Sequence, residues 1–167
     1  MPTDRASKIE VYGAAYDELT AALARYPREV WPYRSPVDPW TIHEIVVHIA
    51  DSEANSFVRL RRLIAEPGQP VMAYDENVWA RRLDYQAQSP EDAVQLFRWL
   101  RHNSYLLVKS LPEATWAHTI EHPENGLMTM DDWLDVYAQH VAEHVAQMDR
   151  ILAEWQAGRP DRVSTAP

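Results

Sequence analysis

His140 and His144 stand four residues apart in YAQHVAEHVAQM. At about 100° of rotation per helical residue they differ by roughly 40° in azimuth and lie one turn apart. Two imidazoles so placed can aim ring nitrogens at a single ion, as helical two-histidine sites do. The same spacing also suits two half-buried core histidines bonded to backbone or carboxylate groups. Position favours the metal reading, because both fall on the apolar stripe of a long segment. His48, in IVVHIADSE, falls inside an earlier apolar segment. On its own it reads as a satisfied core histidine. Together the three could form a facial nitrogen site with coordination positions left open, which is what catalysis at a metal needs.

His48 is followed by Ser52, Asn55 and Arg59 at offsets of four, seven and eleven. Those offsets return to within about 40° of the same azimuth. Either this is a narrow buried stripe whose arginine reaches solvent, or it is the polar wall of a cavity. Tyr74, Trp79 and Tyr137 are candidate pocket aromatics, with a core role as the alternative. Asp51, Glu53 and Glu143 lie near the histidines in sequence, where second-shell partners are needed. Each otherwise reads as a solvated helix charge. His43 is five residues from His48, about 140° around the helix, so the two cannot chelate together. His118 and His122 share a segment with Glu121 and Glu124 and read as a solvated polar loop. His102 reads as surface.

These residues need long helices to position them. Apolar positions at three- and four-residue steps predict a helix over 5–26, stopped by Pro27. Four prolines in 27–40 predict an ordered extended connection, with Trp31 and Trp40 packed on the core. Thr41 with Glu44 has capping-box spacing and opens a helix running to about Ala65. Residues 66–78 read as a loop, followed by a short helix around Val78–Tyr85. Ser89-Pro90-Glu91-Asp92 starts a helix to about Ser110. One helical turn is expected at Pro112–Trp116 and a loop at 117–128. Thr129, with Asp131 and Asp132 behind it, caps the last long helix, which ends at Gly158. The fold class is therefore all-α: a four-helix bundle with extra short helices in the connections. Because the first and third crossovers are long, the topology need not be simple up-down. Residues 1–157 form one domain, and 158–167 a flexible tail.

Composition narrows the function classes. The chain has 167 residues, 46% hydrophobic, with seven Trp, eight Tyr and four Gly. That is a globular, helix-favouring composition. The net charge of −9 and the lack of a basic run argue against nucleic acid as a partner. With no cysteine, any metal must be held by His, Asp or Glu. No apolar run approaches the length of a membrane span, and the first residues lack an apolar signal core. A cytoplasmic protein is the default expectation.

WTIHEIVVHIADSE (40–53), AYDENVWA (73–80) and YAQHVAEHVAQM (137–148) together resemble the DinB-like superfamily, in particular its YfiT-like branch. The resemblance covers roughly residues 10–155. It implies a four-helix bundle, commonly a homodimer, with one divalent metal ion per chain. The ligands it implies are His48, His140 and His144. It also implies a small-molecule substrate and metal-dependent chemistry of hydrolase or bacillithiol S-transferase type, in which the ion activates water or a low-molecular-weight thiol. Zinc or nickel fits three imidazoles best, and iron or manganese also tolerates them. The alternative is a non-catalytic metal-binding or stress-response module. A remoter one is a zinc peptidase, since HVAEH spells H-x-x-E-H with Glu143 as its base. That architecture needs a third ligand well downstream, and only 23 residues follow His144.

Overall fold

A computed structural model describes residues 4–124 and 126–158. Four long helices carry the fold: α1 (Arg5–Leu23), α2 (Ile42–Ala65), α4 (Pro90–Val108) and α5 (Met130–Ala157). A short helix α3 (Glu76–Arg82) lies between α2 and α4, and a hairpin of β1 (Thr119–His122) and β2 (Gly126–Thr129) precedes α5. The helix starts follow their caps. Thr41 and Glu44 form a reciprocal capping box, Ser89 accepts from the Asp92 amide, and Thr129 and Asp132 form a second box. Among the described residues no helix is long and apolar enough to cross a membrane. The expected tail lies outside the described residues, apart from Gly158.

α2 packs most extensively on α4, and α1 on α5, with further α1–α4 and α2–α5 contacts. Of the consecutive pairs, α2 and α4 thus lie side by side, whereas α1 and α2, and α4 and α5, are diagonal across the bundle, which the long first and third crossovers permit. Ala15, Leu19, Ile45, Ile49, Phe97, Val141 and Ile151 fill one half of the core. Tyr12, Leu60, Leu63, Ile120, Trp133 and Leu134 fill the other. Trp31 and Trp40 are buried as expected. At Gly13 a Cβ would meet the Tyr105 ring at 2.6 Å, so glycine there lets α4 approach α1.

Several expectations are corrected. α1 ends at Leu23 and not at 26, because Arg25 and Tyr26 bond three residues back and tighten the last turn before Pro27. The short helix starts earlier, at Glu76, because Asp75 caps the Val78 amide. It ends at Arg82, and Tyr85–Ala87 is a separate 3-10 turn. Residues 117–128 are not a plain loop. A 3-10 turn (Glu113–Ala117) leads into the hairpin, which pairs Thr119 with Thr129 and Ile120 with Met128. Residues 68–71 lie alongside β1 as a third extended segment, with Val71 N–H bonded to Glu121 C=O. Ile120 and Met128 face the core, and His122 is buried with them rather than solvated. His118 gives a ring nitrogen to the Leu63 carbonyl at 2.8 Å.

The largest correction concerns charge. Glu53, read as a solvated helix charge, is buried on α2 and paired with Arg101 of α4 at 2.7 Å, each side chain 1% exposed. Arg101 also donates to the backbone carbonyls of Tyr12 on α1 and Tyr137 on α5, both at 3.1 Å. The Tyr12 hydroxyl donates to the other Glu53 oxygen at 2.8 Å, and the Tyr12 ring lies under the guanidinium. One arginine thus touches all four long helices. Burial pushes the Glu53 carboxyl up, and Arg101 opposes it. Removing one partner of such a pair typically costs about 3–5 kcal/mol, whereas replacing both by apolar groups is often neutral. Arg101→Leu should therefore lower stability in urea unfolding by about that amount. Glu53→Leu/Arg101→Leu should recover most of the loss. Simple additivity of the two single variants would sink the interpretation.

Candidate metal centre

His48 projects from α2, and His140 and His144 from successive turns of α5. Each offers one ligand atom, and those atoms all lie within 4.8 Å of one another. The ring centroids are 5.4 Å (His48–His140), 4.9 Å (His48–His144) and 4.6 Å (His140–His144) apart. The Nε2 atoms of His140 and His144 are 3.2 Å apart. The expected trio is thus brought together by two helices that face each other. His48 is buried, the other two partly so. The Trp40 indole packs edge-on against His48 at 4.6 Å and donates its N–H to Asn77.

All three rings are pushed toward the neutral form. Burial lowers His48 to about 3, with His144 adding repulsion. Burial also holds His140 well below its ordinary value, helped by His144, His48 and Arg101. Burial lowers His144 too, against Gln147, Glu76, Glu143 and Asp38, which favour its cation. Neutral imidazoles keep a lone pair each, and ligation requires that lone pair.

One tautomer follows from a chain of bonds. Gln147 Nε2 donates to both Asp38 oxygens at 2.9 Å. That fixes the amide, so its Oε1 faces His144 Nδ1 at 2.8 Å and accepts from it. His144 Nδ1 then carries the proton, and Nε2 presents its lone pair to the cluster. Asp38 is itself held by the Trp40 amide. Sequence reasoning missed both supporting residues. Gln147 was visible in principle, three residues beyond His144 on one helix face. Asp38 sits in the proline-rich connection, where periodicity carries no signal.

The three rings fit a cation better than they fit one another. The buried Nδ1 of His48 has no hydrogen-bond partner. A buried polar atom left unpaired costs roughly 1–3 kcal/mol. Among the described residues no carboxylate belongs to the cluster. Three neutral imidazoles facing inward, unneutralised from inside, make a donor set suited to zinc, nickel or a similar divalent ion.

The remaining candidates fall in two groups. The Ser52 hydroxyl is buried against the Tyr74 phenol, whose ring lies 4.5 Å from Trp79. Arg59 donates to the Tyr137 hydroxyl at 2.9 Å, and the Tyr137 ring lies 6.2 Å from that of His140. Asn55 turns back to the Asp51 carbonyl and lines a pocket with Arg59. Asp51 accepts from the Tyr85 hydroxyl. Glu143 is exposed and outside the cluster. The third histidine comes from upstream, not from the downstream position an inverted zinc peptidase would need.

Four similarities bear on this geometry. A candidate metal-dependent hydrolase of Oceanobacillus iheyensis is 30% identical over 109 residues, 65% of this chain and 63% of that protein. The chain thus spans under two thirds of that relative's length. The structure of YfiT from Bacillus subtilis, described as a candidate metal-dependent hydrolase with an unusual four-helix bundle topology, superposes with a TM-score of 0.84. It is 21% identical and covers 93% of this chain and 90% of YfiT. A mycothiol-dependent maleylpyruvate isomerase shares the fold at a TM-score of 0.69, with 11% identity over 85% of this chain and 59% of that one. Residues 12–148, spanning both helices that carry the histidines, match the DinB superfamily, and the chain belongs to it.

Proposed function

We propose that His48, His140 and His144 hold one divalent ion, zinc or nickel before iron or manganese. We further propose that the protein is a metal-dependent enzyme of hydrolase or thiol S-transferase type acting on a small molecule. The observation that carries this is the convergence of three neutral imidazoles from two helices with no carboxylate among them. When bound, such an ion lowers the pKa of a coordinated water or thiol, zinc bringing water to about 7. The chain's own part is to hold the ligands. Gln147 and Asp38 keep His144 in the ligating tautomer, and Trp40 walls off His48. The hydrolase relatives support water as nucleophile, and the fold shared with a mycothiol-dependent enzyme supports a thiol. The reading includes a homodimer. A solution mass near 19.3 kDa at micromolar concentration, rather than twice that, would overturn this part.

Protein loaded with zinc should bind one ion per chain, measured by elemental analysis and chelator competition. Gln147→Ala should weaken binding by roughly 10–100-fold, the usual cost of losing a supporting residue, and His140→Ala by more. Unchanged affinity in His140→Ala would refute the site. Loaded protein should then turn over either simple esters and amides, or a low-molecular-weight thiol with monochlorobimane. Inactivity toward both sets would favour a non-catalytic metal-binding module.

The histidines also set a pH dependence. Their folded pKa values lie below the ordinary 6.5, with His48 at about 3. The unfolded chain therefore takes up protons first as pH falls. The stability present above about pH 6.5 is lost progressively toward pH 3. Melting temperature of metal-free protein should fall over this window, and less steeply in His48→Gln. Parallel profiles for the two proteins would contradict the pKa assignment.

A further inference from the structure

The polar row that follows His48 along α2 ends in an arginine with no acidic partner among the described residues. We propose that Arg59 anchors a carboxylate on the small molecule that reacts at the histidines. This rests on the function proposed above and extends it to a substrate class.

Arg59 is half-buried. One terminal nitrogen donates to the Tyr137 hydroxyl and the other to the Met72 carbonyl, both at 2.9 Å. Among the described residues no carboxylate pairs with it, whereas Arg5, Arg25, Arg28, Arg34, Arg62 and Arg101 all have one. Arg61, Arg81, Arg82, Arg98 and Arg150 lack one too, but of these six only Arg59 lines the pocket beside α2. Its charge acts on Tyr74, Tyr137 and His122. Burial raises both phenols, Tyr74 to about 12, so both are neutral at neutral pH. Burial also keeps His122 on the neutral side. Glu76 acts on Tyr74 and Glu124 on His122, but neither forms an ion pair with Arg59.

The guanidinium lines a pocket of about 490 Å³ on the outer side of α2, whose other walls include Asn55, Val58, Val71 and Met72. Met72 and Val58 are exposed apolar side chains there. A charged floor with an apolar rim fits a small molecule bearing an acid group and an apolar body. Arginine still has N–H donors to spare, and its planar fork matches a carboxylate in two parallel bonds. The neighbouring Arg62 is already engaged by the Pro70 carbonyl and Glu66. Tyr137 stands between the pocket's arginine and the metal centre, with its hydroxyl on Arg59 and its ring beside His140. One buried phenol separates anchor from histidines, so the two are neighbours through a shared side chain. A stapling role alone, tying the 70–72 segment to α5, would explain the two hydrogen bonds. It would leave the guanidinium's remaining N–H donors unused beside an open pocket.

The test uses metal-free, nitrogen-15-labelled protein titrated with glutarate, methyl phosphate and neutral glutaramide. The readout is the Arg59 Nε–H resonance, identified by its loss in Arg59→Lys. Glutarate should give a saturable shift, methyl phosphate a weaker one and glutaramide none. The Tyr137 and Trp79 signals, followed in the variants, should show glutarate binding weakened at least about tenfold in Arg59→Gln. The loss should be partial in Arg59→Lys, which keeps the charge without the fork. Binding should persist in Arg62→Gln and in His140→Ala. Equal responses to glutarate and glutaramide, none to glutarate, or glutarate binding retained in Arg59→Gln would overturn the proposal. A stronger response to methyl phosphate would overturn the choice of carboxylate. Since the readout needs no metal, loss of the metal centre and failure of the anchor are separate results.

Discussion

The fold turns on one buried cation. Arg101 brings together α1, α2, α4 and α5 by bonding to Glu53 and to the Tyr12 and Tyr137 carbonyls. Apolar packing is non-directional, so ridges of similar side chains tolerate small slides between helices. A buried charge pair does not, because a lost bond leaves a charge unsolvated. The bond lengths therefore set the register of the helices as well as their proximity. Glu53 lies five residues after His48, and Tyr137 three before His140. The same arginine that locks those turns together fixes which residues of α2 and α5 oppose one another a turn away. The histidines meet because the helices carrying them cannot slip.

Seen this way, the amphipathic patterns account for less of the centre than they seem to. Periodicity and capping residues place α2 and α5 almost to the residue, since Thr41–Glu44 and Thr129–Asp132 are local signals with local causes. They place His48, His140 and His144 on inward faces. They do not place Glu53, because charged residues are rarely fully buried and the pattern assigns them to solvent. Its partner is 48 residues away on another helix, and nothing in either neighbourhood announces the pair. The hairpin at 119–129 was hidden for a related reason. Its strands are four residues long, and one draws its backbone partners partly from residues 68–71, far away in sequence. Gln147 and Asp38 bridge an α5 face and a proline-rich connection, a contact that only the folded chain creates.

The site that results is electrically lopsided. On the His144 side, Asp38, Glu76 and Glu143 all favour positive charge at the ring. On the far side lie Arg59, with no acidic partner among the described residues, and Arg101, whose charge reaches His140 despite its pairing with Glu53. Between them are three neutral imidazoles and the phenol of Tyr137. Such an arrangement draws a cation toward one end and an anion toward the other, and charges at that spacing in a partly dry site are weakly screened. Burial does the rest by keeping the imidazoles unprotonated, since a protonated trio would repel the cation the carboxylates attract. The chain's net acidity thus serves the cation side, and the open arginine serves the other. A reaction joining a metal-activated nucleophile to an acid-bearing molecule would use both ends at once.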